Sequence, residues 1–200
     1  MQDTDIDAAA LHLHALQSAA QRGLRLPVHL RPREPIDGWR IQRRVSALRA
    51  RPVHGWKCAL PPADRWVVAA LHDVWPSPAG LRAPAGSPGV ARVEPEFAFE
   101  FTSTLPARSA PYAEHEVDRA VGAVRLAVEV LGCRFAEPAE ASGPELMADS
   151  LWHHALVLGG RIKGALPEAP RFTLRVIRPD APAIVLAAAH ADGNPRRALY

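Results

Sequence analysis

Residues 92–101 read Arg92-Val93-Glu94-Pro95-Glu96-Phe97-Ala98-Phe99-Glu100-Phe101. In an extended strand, successive side chains alternate between two faces. Val93, Phe97, Phe99 and Phe101 then share one face, and Glu94, Glu96, Ala98 and Glu100 share the other. Carboxylates side by side repel, and burial makes the repulsion worse. The acidic face is therefore either bathed in water or covered by something positive.

Outward from this strand, helices come first and strands then dominate. Residues 5–22 have the pattern of an amphipathic helix, with Asp5 or Asp7 to cap it and Gly23 to end it. A second helix is expected over residues 36–50, before Pro52. Residues 53–60, VHGWKCAL, are strand-like, and WVVAALHDVW (66–75) fits strand or helix. Residues 76–89 are a loop by composition. Residues 114–124 suit a short helix that runs into the apolar RLAVEVLGCRF (125–135). Residues 136–145 form another loop, followed by a helical turn and a buried strand over 153–160. Residues 171–179 and 181–190 alternate as a hairpin about Pro179-Asp180. This order favours an α+β fold over a doubly wound sheet. It divides into an N-terminal helical portion, residues 1–52, and a strand-rich portion, residues 53–200.

The chain has 200 residues, 48% hydrophobic and 22% charged, which suits one sizeable core. A net charge of +3 without a basic run argues against nucleic acid. No apolar run is long enough to span a membrane, and the acidic MQDTDIDAAA start lacks the basic region of a secretory signal. Cys58 and Cys133 form no CxxC, so a reduced cytoplasmic protein is expected. Lys57 and Lys163 are the only lysines among many arginines. An amine can lose its proton in a pocket where a guanidinium cannot.

Glu129 lies between Ala127-Val128 and Val130-Leu131, where a carboxylate is costly unless paired or bound to metal. Glu94, Glu96 and Glu129 suit a hard cation such as Mg²⁺ or Mn²⁺. The other reading leaves Glu94 and Glu96 in solvent and pairs Glu129 with Arg125 or Arg134. Lys57, beside Trp56, is either a semi-buried acid, base or cation, or a surface lysine next to a packed ring. The nine histidines are dispersed, His153 and His154 point to opposite sides of a strand, and none forms a ligand set. No P-loop, GxGxxG or G-x-S-x-G segment occurs.

Four segments in order, with an upstream helix, carry a family resemblance. GWKCAL (55–60) resembles the G-Y-K-I-G-L segment of the 2-keto-4-pentenoate hydratase / 4-oxalocrotonate decarboxylase family, within the fumarylacetoacetate hydrolase superfamily. VEPEFAFEF (93–101) resembles its V-E-x-E-I-A-F strand, and AVEVLGCRF (127–135) its A-L-E-I-V-D-S-R-I strand. LMADSLWHHALVLG (146–159) is similar to its I-A-D-N-A-S-x-x-x-x-V-L-G segment, and IDGWRIQRRV (36–45) to its A-Y-x-V-Q helix. The resemblance implies an α+β fold with N-terminal helices and a mixed, strongly curved β-roll. It implies a divalent-metal-dependent lyase of 2-oxo acids, a hydratase or decarboxylase in aromatic catabolism. Carried over by residue, Glu94, Glu96 and Glu129 hold Mg²⁺ or Mn²⁺, Lys57 is catalytic, and Ser150, Trp152 and Arg134 line the substrate site. A homo-oligomer, or a hetero-complex with a related subunit, is implied as well.

The chain departs from the pattern where A-D-N-A-S becomes Ala148-Asp149-Ser150-Leu151-Trp152. The active-site Ser position is now Trp152, and D-S-R is now Gly132-Cys133-Arg134. The C-terminal G-D-V-x-x-T-G-S region of relatives has no counterpart before Tyr200. These departures favour the alternative of a non-catalytic member that binds a partner subunit or ligand. The N-D-x-T-x-R-D segment of acylpyruvate hydrolases is absent.

Overall fold

The computed structural model describes residues 1–60, 67–77, 92–178 and 180–200. Most of the loop expected over residues 76–89, and Pro179 of the expected hairpin turn, lie outside the described residues. The chain forms two compact units: Met1–Glu96 with Leu126–Gly160, and Phe97–Arg125 with Arg161–Tyr200.

The first unit is built on two helices, α1 (Asp3–Ser18) and α2 (Pro35–Leu48). Ile6, Ala9, Ala10 and Leu13 recur at helical spacing on α1 and are buried. Gly38, Ile41, Gln42 and Val45 do the same on α2, which starts on Pro35, where a missing N–H costs nothing. Leu26, Leu30, Cys133, Phe135 and Ala148 complete the core between them. Asp3 with Arg40 and Asp7 with Arg44 pair across the outer edge of the two helices.

Gln42 ties the helices to the strands. Its buried amide donates to the Met147 carbonyl at 2.7 Å and the Val68 carbonyl at 3.2 Å, and its oxygen accepts from the Ala70 N–H. Met147 belongs to the short helix of Gly143–Ala148. Serine 142, as Ser142, caps that helix in a reciprocal box with Glu145. Glu145 is buried and is met by Arg25.

The described part of the ambiguous segment 66–75, from residue 67 on, contributes to two strands. β1 (Gly55–Cys58) pairs antiparallel with β2 (Val68–Leu71). β3 (Val74–Pro76) pairs parallel with the strand His153–Arg161. Numbered in chain order, β4 is Arg92–Phe101, β5 is Val121–Leu131 and β6 is His153–Arg161. These form a four-stranded sheet in the order β3-β6-β5-β4. β4 is an edge strand, which accommodates Pro95, a residue without an N–H for the ladder. Among the described residues the strands form three sheets, of two, four and two strands, which with the N-terminal helices make a mixed α+β fold.

The second unit carries α3 (Glu114–Ala120) and the hairpin of β7 (Arg171–Arg178) and β8 (Ala181–Ala189). α3 stops four residues short of the expected end, and Val121 opens β5. The β-branched Val121 and Val124 suit a strand. A Cβ on Gly122 would lie 2.2 Å from the Thr102 Cγ2, so this position must approach its neighbour closely. Arg108 and the Ala113 N–H hold the Glu116 carboxyl down at about 2, fixing the first turn of α3. Phe97 packs edge-on against Phe172 at 5.9 Å.

Cys58 is exposed and Cys133 buried, neither in a disulfide, and burial pushes the Cys133 thiol up to about 11. No helix among the described residues is long and apolar enough to cross a membrane.

Gly38 marks the tightest helix contact. A Cβ there would lie 2.3 Å from the Pro144 carbonyl oxygen. Because backbone cannot yield as a side chain tip does, Gly38→Ala is expected to cost about 1–3 kcal/mol. Denaturant unfolding should show this as a lower midpoint.

Candidate functional site

β1 presents Lys57 on its more protected side, while Trp56 faces outward and stacks at a tilt on Trp39, 5.7 Å between centroids. The Lys57 side chain is 17% exposed. Its Nζ donates to Glu129 Oε2 at 2.5 Å and to Glu94 Oε2 at 3.1 Å. Glu129 is 1% exposed in the middle of β5, while Glu94 on β4 is open to solvent. Glu94, Glu96 and Glu129 each offer a carboxylate oxygen, and these atoms lie within 4.8 Å of one another. The three glutamates and Lys57 therefore meet at one place. Arg125, the first of the two expected alternative partners of Glu129, donates instead to Glu100 at 2.7 Å.

The charges decide the state of the group. Burial pulls the Lys57 amine down, but the adjacent Glu129 and Glu94 carboxylates more than offset it and hold it above its ordinary value. Burial likewise pushes Glu129 up, while hydrogen bonds from His153 and Lys57 bring it below the usual carboxylate range. The pair is an ion pair, with Lys57 as a cation.

His153, at the start of β6, was not legible as a site residue. It is 2% exposed, and its Nδ1 lies 2.8 Å from Glu129 Oε1. The strand alternation correctly sets it on the opposite side from His154, but which side faces Glu129 depends on how β6 pairs. Its Nε2 is buried without a hydrogen-bond partner among the described residues.

Before His153 the backbone is unusual. Ser150, Leu151 and Trp152 have φ values of 53°, 52° and 65°. Three consecutive non-glycine residues in the left-handed region cost about 1–2 kcal/mol each. A buried clamp holds this turn. Arg134 Nε and Nη2 donate to the Asp149 side chain and carbonyl, and Nη1 donates to the His153 carbonyl at 2.8 Å. The Arg134 N–H also donates to Asp149 Oδ2 at 3.1 Å. Arg134, expected at the substrate, thus has its three guanidinium nitrogens committed to the two ends of the turn. Ser150 is buried within it. Trp152, expected as a pocket wall, packs against the helical core, and its buried indole N–H has no hydrogen-bond partner among the described residues.

No family model matches the chain, and no curated protein sequence matches it. Solved structures do. The 4-oxalocrotonate decarboxylase from Pseudomonas putida G7, complexed with magnesium and adipate, superposes with a TM-score of 0.63 at 15% identity. The match covers 80% of this chain and 64% of that one. The chain has the decarboxylase fold. The same enzyme complexed with calcium and acetate gives a TM-score of 0.62 at 16% identity, over 80% of this chain and 63% of that one. The chain thus spans just under two thirds of the length of these decarboxylase structures. The likeness of fold agrees with the family resemblance carried by the sequence segments.

The clamp makes a pH-dependent prediction. Arg134→Met leaves Asp149 buried without its cation, which typically costs about 3–5 kcal/mol. Burial already raises Asp149 above its unfolded value, against the pull of Arg134, so the ionised form is the costly one. The deficit of the variant should be largest at neutral pH and shrink as the pH falls through the raised folded value. Denaturant melts of both proteins across pH check this.

Proposed function

We propose that the chain is a divalent-metal-dependent lyase acting on small 2-oxo acids, of hydratase or decarboxylase type. The observation that carries this reading is the meeting of Glu94, Glu96 and Glu129 around Lys57, in a fold shared with a decarboxylase. Three carboxylates within 4.8 Å repel unless a cation joins them, and oxygen-only donors suit Mg²⁺ or Mn²⁺. The Lys57 ammonium neutralises part of this charge, which leaves a net negative site fitted to a divalent ion.

Glu94, Glu96 and Glu129 would hold the cation, whose positive charge would supply the electron sink that both water addition and loss of CO₂ require. Around it the chain's own residues divide the work. Glu129 supplies a fixed charge from the interior, and Glu94 supplies one from the open side. Lys57 is a fixed cation between them, suited to hold a substrate carboxylate. The decarboxylase was solved complexed with magnesium and adipate and with calcium and acetate, and we extend carboxylate recognition to this chain by analogy of fold. The setting we favour is catabolism of aromatic compounds in the cytoplasm, by a homo-oligomer or a complex with a related subunit.

The second reading, a member that binds without turnover, draws on Trp152 and its left-handed turn, which stand where relatives place a serine. A panel of unsaturated 2-oxo acids, including 2-hydroxypentadienoate and 4-oxalocrotonate, separates the two by ultraviolet absorbance with and without Mg²⁺ or Mn²⁺. The lyase reading expects metal-dependent turnover, abolished in Glu129→Gln and lost also in Lys57→Arg, whose planar fork cannot replace a point amine. Metal and 2-oxo acid binding without turnover would establish the second reading. A chain that binds neither would overturn both.

A further inference from the structure

Glu129 is held at both oxygens. Oε2 accepts from Lys57 at 2.5 Å, on the side shared with Glu94. Oε1 faces His153 Nδ1 at 2.8 Å. The Glu129 and His153 side chains are 2% and 1% exposed, so water does not compete for this contact. An ionised carboxylate only accepts, so the proton of the bond belongs on His153 Nδ1. The terminal torsion of a glutamate is otherwise soft, and a carboxylate free to rotate presents its oxygens indiscriminately.

We propose that His153 is a positioning residue for the cation site. Its Nδ1–H holds Glu129 Oε1 toward the interior, so that Oε2 is the oxygen offered beside Glu94 and Glu96. This rests on the reading that the three glutamates hold a divalent cation, and adds a residue outside that ligand set. The backbone gives independent support. The left-handed turn at Ser150, Leu151 and Trp152 ends at His153, and the Arg134 guanidinium grips the His153 carbonyl as well as Asp149. Strain of this kind persists where the surroundings over-determine it, and here it sets the start of β6 and with it the ring. Partners of this kind orient a ligand and raise its affinity for metal without touching the metal.

The test compares Mn²⁺ binding, followed by electron paramagnetic resonance, in wild type, His153→Leu and His153→Asn. Leu keeps the bulk and removes the donor, whereas the Asn amide can donate from near the Nδ1 position. His153→Leu should bind Mn²⁺ about 10–100-fold more weakly, the usual effect of losing such a partner, and His153→Asn should recover most of the loss. A folded His153→Leu chain with wild-type affinity would overturn the proposal, as would an Asn variant no better than Leu. The wild-type chain gives a second readout that needs no variant. With ¹⁵N-labelled histidine, nuclear magnetic resonance should show the Nδ1–H form of His153 and a shift of that nitrogen on adding Mg²⁺. The opposite tautomer, or a ring indifferent to Mg²⁺, would refute it. Wild type that binds no Mn²⁺ would remove the metal reading itself, an outcome distinct from the loss of His153's role alone.

Discussion

A carboxylate at 1% exposure in the middle of a strand is the constraint around which this site is organised. Glu129 sits among Ala127, Val128, Val130 and Leu131, and an isolated charge there would cost several kcal/mol (of the order set by burial of an unpaired ion). It is tolerated because Lys57 and His153 each take one oxygen. Those two residues come from β1 and β6, so the placement of β1 and β6 is coupled to the charge on β5. The same arrangement keeps Lys57 protonated and leaves Glu94 and Glu96 on the open side. An acidic cluster with one cation inside it is poised to take another.

A second buried ion pair supports the first. Arg134 and Asp149 close a left-handed turn that none of its residues favours. Asp149 and Arg134 are 0% and 8% exposed, so the pair gains little net free energy over apolar residues but is costly to break. Its value lies in geometry, since it sets where β6 begins and how Trp152 leans on the helical core. Gln42 plays a comparable part on the other side of the unit, satisfying the Met147 and Val68 carbonyls and the Ala70 N–H from one buried amide. Polar groups at these depths persist because each finds its partners.

The sequence by itself determined the local features. Helical spacing of Ile6, Ala9, Ala10 and Leu13 marked α1, and the alternation around Phe97 and Phe99 marked β4. The two-residue spacing of Glu94 and Glu96 set both carboxylates on one face of a strand, and the apolar flanks of Glu129 marked it as a charge in need of a partner. These follow from the 3.6- and 2-residue periods and from the cost of burying charge, which act over a few residues. Tertiary structure alone decided the rest. The meeting of Glu129 with Glu94 depends on β5 lying beside β4, and its contact with His153 on β6 lying on its other side. Arg134 could have faced a substrate as well as Asp149, because a side chain's long-range partner has no local signature. The left-handed run of Ser150, Leu151 and Trp152 has none either. These are not glycines, and the conformation exists because buried hydrogen bonds from a residue sixteen or more positions upstream offset a local preference that points the other way.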